Sequence, residues 1–148
     1  MNKELDNCIG LQLKLTKNIM EIEHNKYLKD FGISSEQGLL LKIAYEMPGI
    51  TQTHIAELLH KNKTTITRMI DTLVKNGKVK RENSEEDRRI YKIYVTDEVA
   101  QKVEEISPLF EKRNEDLREI IDEKEYEITL KVLEQIKEYY RGLNKWKD

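Results

Sequence analysis

The 148-residue sequence predicts a mainly α-helical chain with a small two-stranded β wing, and three observations carry that expectation. Two prolines and six glycines are too few for the many turns of a β sandwich or barrel. Apolar side chains recur at the three-and-four spacing of a buried helical face over most of the length. Between Lys78 and Val95 the pattern instead alternates in twos, as in half-buried strands. The length suits a single domain, 1–148. With 38% hydrophobic and 36% charged residues, a modest core must lie beneath a large polar surface.

The first helix is expected from Leu5 to Leu28, carrying Leu5, Ile9, Leu13, Ile19 and Ile22. Ser34 and Gln37 have the spacing of a capping box ahead of Leu39, Leu40, Ile43, Ala44 and Met47, and Pro48-Gly49 ends that second helix. Thr51 can cap a short third helix with Ile55, Leu58 and Leu59 inward. His60-Lys61-Asn62 interrupts it, and Asn62 opens a fourth helix in which Ile66, Met69, Ile70, Leu73 and Val74 form one buried stripe. Asn76-Gly77 supplies a left-handed stop. Strands follow at Lys78 to Asn83 and Ile90 to Val95, joined by the charged loop Ser84-Glu85-Glu86-Asp87-Arg88-Arg89. A long helix entered through Thr96 or Asp97 is expected to kink at Ser107-Pro108. Asp122 and Glu125 open the last helix. The apolar residues of the terminal helices, Trp146 included, exceed one narrow stripe.

Charge is unevenly placed. The net charge is only −2, yet between His60 and Lys92 ten basic residues stand against five acidic ones, leaving that segment +5 and the remainder −7. A basic block in an otherwise acidic chain is the footprint of a polyanion-binding surface. The single cysteine, Cys8, allows no intramolecular disulfide and points to a reducing, cytoplasmic setting. No signal-like or membrane-spanning apolar run is present in the sequence, so no membrane partner is expected. The three histidines form no metal-ligand pattern, and no Gly-rich phosphate loop occurs. No cofactor, metal or enzymatic activity is therefore expected.

Two short helices with a three-residue break, followed by a hairpin, make a winged helix-turn-helix, assigned to 34–95. With Ile66, Ile70 and Leu73 inward, Thr64, Thr67, Arg68, Asp71 and Lys75 should face outward. Arginine can bond guanine O6 and N7 in pairs, each good pair giving about 1–3 kcal/mol of base discrimination, while threonine can hold phosphate or touch a thymine methyl. Asp71 would repel phosphate unless paired, and Arg68 and Lys75 are near enough along the helix to pair with it. A purely structural alternative makes the threonines helix-start decoration. The surplus apolar surface of 1–30 and 97–148 gives a physical motive for dimerisation, and two reader helices would then match a pseudopalindromic duplex.

Asn62-Lys63-Thr64-Thr65-Ile66-Thr67-Arg68-Met69-Ile70-Asp71-Thr72-Leu73 with Gly77 resembles the recognition helix of MarR-type (multiple-antibiotic-resistance) transcriptional regulators. Asp87-Arg88-Arg89 followed by Ile93, Val95 and Thr96 is similar to that family's wing signature; Val99 departs from it, since the family usually has Gly there. The resemblance implies a homodimer built from the N- and C-terminal helices and a sequence-specific, repressor-type DNA-binding regulator. Lys61, Lys63, Thr64, Thr65, Thr67, Arg68 and Lys75 would contact or position DNA, with Asp87 and Arg88 at the wing. Arg89 would enter the minor groove and Asp87 would hold the tip by pairing with a neighbouring arginine. It further implies release by a small aromatic or anionic effector, which His24, Tyr27, Tyr45 and Met47 could border. Two alternatives stand beside this: a protein-interaction adaptor on the same fold, and a peroxide-sensing regulator using Cys8.

Overall fold

The computed structural model describes residues 7–87 and 89–144, so Leu5, Arg88 and Trp146 lie outside the described residues. The elements are helix α1 (Ile9–Leu28), α2 (Ser35–Glu46), strand β1 (Ile50–Thr51), α3 (Gln52–Leu58), α4 (Lys63–Lys75), β2 (Val79–Asn83), β3 (Tyr91–Val95), α5 (Asp97–Ile120) and α6 (Glu123–Asn144). They fall into two compact units, 1–106 and 107–148. The division lies inside α5 beside Pro108, whose missing N–H removes one helix hydrogen bond.

Side-chain caps set the helix starts of the first unit. Ser34 Oγ accepts from the Gln37 N–H while the Gln37 side chain accepts from the Ser34 N–H, the full reciprocal box. Thr51 Oγ1 accepts from the His54 N–H at 3.2 Å, and Asn62 Oδ1 from the Thr65 N–H at 2.7 Å. Between α3 and α4 the chain turns at His60, the one positive-φ residue other than glycine among the described residues (φ 50°). The His60 N–H reaches the Glu57 carbonyl and the Lys61 N–H the Ala56 carbonyl, which is the paired closure of a Schellman turn. The end of α4 repeats it at Gly77 (φ 67°), with Gly77 N–H to Val74 and Lys78 N–H to Leu73.

The buried cluster of this unit joins Leu40, Leu41 and Ala44 of α2, Ile55 of α3, Ile66, Ile70 and Leu73 of α4, Ile93 of β3 and Val99 and Val103 of α5. Three inward faces differ from the periodicity reading, one of them in α4, where Val74 at the edge of the expected stripe is 38% exposed. In α2, Leu41 is buried and Leu39 and Met47 are exposed; in α3, Ala56 is buried and Leu58 is exposed. Short amphipathic segments tolerate a one-residue rotation because either setting buries a comparable apolar area. Val99, the departure from the family pattern, is fully buried.

The wing belongs to a three-stranded antiparallel sheet of order β1-β3-β2. The two-residue β1 pairs Ile50 with Ile93, a strand too short for any alternation to reveal. In the hairpin, Val79 faces Val95, Arg81 faces Ile93 and Asn83 faces Tyr91, so Arg81 stands on the same face as buried Ile93. Thr96 closes the base, its N–H and hydroxyl both donating to the Lys78 carbonyl. There Lys78 Nζ also lies 3.7 Å from the centroid of the Phe31 ring and 2.6 Å from Glu98.

In the second unit Asp122 accepts from the Lys124 N–H at 3.0 Å, capping α6. Tyr126 Oη donates to Asn114 at 2.9 Å beneath the Arg118 guanidinium. Large apolar side chains here are exposed, Ile120 at 79% and Tyr139 at 64% among them. Among the described residues no helix is long and apolar enough to cross a membrane.

Gly49, just before β1, has φ 81°, and a Cβ there would lie 2.9 Å from Tyr94 Oη. Gly49→Ala is therefore expected to cost at least about 1–2 kcal/mol from the left-handed backbone alone, read as a lower urea midpoint. An unchanged midpoint would mean that the β1 approach relaxes freely.

Candidate nucleic-acid interface

Burial of Ile66, Ile70 and Leu73, each 0% exposed, fixes the rotation of α4. Thr64, Arg68 and Lys75 then project directly away from the core, while Lys63, Thr67 and Asp71 lie on one flank. That flank faces the wing. Lys63 and Thr67 line a cleft of about 200 Å³ together with Gln52 and Thr53 at the start of α3 and Arg89 and Tyr91 of the wing. The structure thus brings three of the residues expected at DNA, Lys63, Thr67 and Arg89, to one place. Gln52, Thr53 and Tyr91 carry no charge or family motif, and only the fold gathers them there.

The cations of α4 itself are not consumed by the protein's own carboxylates among the described residues. Among the described residues Lys63, Arg68 and Lys75 enter no ion pair. Asp71 does not pair with Arg68 or Lys75, the partners that spacing along the helix predicts. It accepts instead from Arg81 Nη2 at 2.7 Å, because the inward face of β2 delivers Arg81 to that flank of α4. The Arg81 guanidinium also lies 5.4 Å from the Tyr91 ring centroid, so recognition helix and both wing strands share one contact chain.

Lys61 is set apart from this group. Its Nζ donates to Glu36 at the start of α2 at 2.8 Å, and its side chain is 29% exposed. Lys61 holds the Glu36 carboxyl below the usual carboxylate range, against the opposing effect of desolvation. Thr65 is half-buried behind the cap, and Thr67 Oγ1 donates to the Lys63 carbonyl at 2.9 Å, leaving its lone pairs as acceptors.

At the wing tip Asp87 works mainly through backbone bonds. Its Oδ1 accepts from the Arg89 N–H at 2.9 Å and its carbonyl from the Ile90 N–H at 2.9 Å, while Arg89 Nε is 3.8 Å from the carboxylate. Below it, buried Ser84 accepts from the Glu86 N–H. The Arg89 side chain is 94% exposed, so the turn is ordered while its cation projects into solvent. Arg88 lies outside the described residues.

The residues expected to border an effector do not line this cleft. Tyr45 Oη donates to Glu104 at 2.9 Å, which raises the phenol pKa above its ordinary value. His24 and Tyr27 are half-buried on α1, and Met47 is exposed at the end of α2. Cys8 is exposed at the cap of α1, with no side-chain cap bond. Among the described residues no group of three or more His, Cys, Asp or Glu could hold a metal ion.

A short helix, a tight turn, a second helix with an outward polar face and a β hairpin beside it define a winged helix-turn-helix. The MarR family model matches residues 33–91. The uncharacterized HTH-type transcriptional regulator YybA of Bacillus subtilis is 30% identical over 112 residues, 76% of this chain and 69% of that protein. PrsX, an HTH-type transcriptional regulator of Escherichia coli, is 34% identical over 93 residues, and the chain spans about half of its length, 53%. Among solved structures, the Staphylococcus aureus MepR–DNA complex superposes with a TM-score of 0.82 at 22% identity, covering 89% of this chain and 98% of that one. Reduced AbfR bound to DNA gives 0.70 at 27% identity, covering 95% and 94%. The chain belongs to the MarR family of HTH-type transcriptional regulators.

Two expectations follow from the site. Asp87→Ala should speed hydrogen exchange at the Arg89 amide, while Asp87→Asn, which can make the same turn, should keep it slow; equal acceleration in both would mean that charge pairing orders the tip. The Glu36 pKa is lowered by folding, so its stabilising contribution is present above the unfolded value and is lost as pH falls through the lowered one. Glu36→Gln should therefore flatten the acid side of the stability profile, and an identical profile would remove the Lys61 pair from the balance.

Proposed function

We propose that the protein is a homodimeric, sequence-specific DNA-binding repressor that recognises a pseudopalindromic duplex. The observation that carries this is the convergence of Lys63 and Thr67 of α4 with Arg89 of the wing on one cleft, so the two elements point to the same side. Arg68, Thr64 and Lys75 face the major groove, Arg68 reading bases and Lys75 positioning on phosphate, with Thr65 behind them. Arg89 enters the adjacent minor groove, where narrow width concentrates negative potential, and Asp87 presents it. Lys61, committed to Glu36, contributes less than Lys63. Unpaired cations favour this reading over a protein-interaction adaptor, which gains nothing from them.

Dimerisation through α1 and through α5 and α6 would cover the exposed Ile19 and Ile22 of the first unit and Ile120 and Tyr139 of the second, apolar surface that is unfavourable in water. The twofold sets half-sites about one helical turn apart, roughly 34–36 Å. DNA-bound relatives such as MepR and AbfR support the duplex as partner. The repressor reading rests on the DNA side, since Tyr45 is already bonded to Glu104 and the geometry gives an effector at His24, Tyr27 and Met47 no further support.

Selection from random duplex DNA should enrich a symmetric consensus. Arg89→Ala should weaken binding to it and lower the salt slope by about one unit, because one fewer cation displaces counterions. Arg68→Ala should relax preference at a few base pairs only. No enrichment from the selection would favour the adaptor, and a uniform loss for Arg68→Ala would make it a backbone contact.

A further inference from the structure

We infer that Lys78 is a positioning residue for the wing: its ammonium, seated on the Phe31 ring and paired with Glu98, fixes the angle at which the hairpin carries Arg89 to the duplex. This deepens the proposed function and rests on it. Lys78 belongs by charge to the basic block, yet its side chain is only 13% exposed. It is turned inward and is not one of the cations offered to a polyanion. A lysine is rarely withdrawn from water unless its charge is met, and here it is met from two sides. Nζ lies 3.7 Å from the Phe31 ring centroid and donates to Glu98 at 2.6 Å.

Further bonds make the same residue a junction. Its N–H donates to the Leu73 carbonyl near the end of α4, and its carbonyl accepts from the Thr96 N–H and hydroxyl just after β3. Main chain and side chain together tie the base of the hairpin to α4, to the start of α5 and, through Phe31, to the turn between α1 and α2. Phe31 is itself packed against the buried cluster, so the ring is a fixed seat. A cation over a ring face is held at a defined place, whereas apolar contact is non-directional. Stability alone does not call for a charge there, because well-packed apolar groups often serve as well as a buried ion pair. Direction is what the cation adds. From Lys78 to Asn83 the backbone runs about 16 Å, and a tilt of about 10° at its base would displace the far end by about 3 Å. That exceeds what a hydrogen bond to a groove edge tolerates.

The test uses the full chain, the duplex recovered by selection and double-mutant cycles. Lys78→Met removes the charge and keeps an unbranched stem, while Glu98, 65% exposed, can hydrate. Affinity should fall by about tenfold, the size of one largely desolvated cation–π contact. Because the loss arises from a misdirected wing, the penalty of Arg89→Ala should shrink by about fivefold in the Lys78→Met background. The penalty of Arg68→Ala, a change on α4, should stay the same. Lys78→Arg, which keeps a cation over the ring, should restore both the affinity and the full Arg89→Ala penalty. If Lys78→Met loses its helical circular dichroism, Phe31→Leu, which takes away the ring and leaves the ammonium, carries the same cycles.

Wild-type affinity in Lys78→Met would overturn the positioning role while leaving DNA recognition standing. Penalties of Lys78→Met and Arg89→Ala that simply add would do the same, making Lys78 an independent contact if the urea midpoint holds and a structural residue if it falls. Equal coupling to Arg68 and Arg89 would also overturn it, as a general loosening of the lobe. Failure of wild type to enrich any duplex would instead remove the functional reading and the role of Lys78 with it.

Discussion

Burial of three side chains on α4 is the constraint on which the rest of the interface depends. Ile66, Ile70 and Leu73 are wholly inside, and a helix has no freedom to turn one residue without turning them all. Removing any of them would cost about 2–5 kcal/mol, a large share of the 5–15 kcal/mol by which domains are usually stable. The outward placement of Thr64, Arg68 and Lys75 is thus enforced by apolar packing behind them. The outward polar contacts are aimed by three purely hydrocarbon side chains behind them.

Electrostatics is arranged on top of that frame so that attraction is divided between uses. Asp71 is the only carboxylate on α4, and its pairing with Arg81 uses it to hold the wing instead of neutralising the reader's own cations. Lys61 is similarly taken up by Glu36. What remains for an anionic partner is a smaller set than the block of positive charge between residues 60 and 92 contains, and it lies on the outward face and one flank of α4 and at the wing tip.

Much of this was legible in the sequence because it rests on local rules. The caps at Ser34, Thr51 and Asn62 and the stop at Gly77 are readable from residue types at fixed offsets, and the buried stripe of α4 from its spacing. The family motif added the wing as an element and pointed to Asp87 at its turn. Features that depend on tertiary register were not readable. β1 has two residues and no periodicity. The Asp71 partner could be chosen only once the hairpin register placed Arg81 beside Ile93. Gln52 is an ordinary first-turn residue until the wing closes over it. Leu39 and Leu41 are equivalent by composition, and only the neighbours of α2 decide between them.

The fastening at the base of the hairpin has its own consequence. Lys78 is 13% exposed and lies against the Phe31 ring, with its ion-pair partner Glu98 65% exposed, and the contacts of a largely buried charge with the protein around it are screened by dissolved ions far less than exposed ones. Added electrolyte should therefore leave the root of the prong in place while it weakens the open cation at its tip. Lever and fulcrum respond to different variables, so a change of ionic strength tunes grip without altering reach.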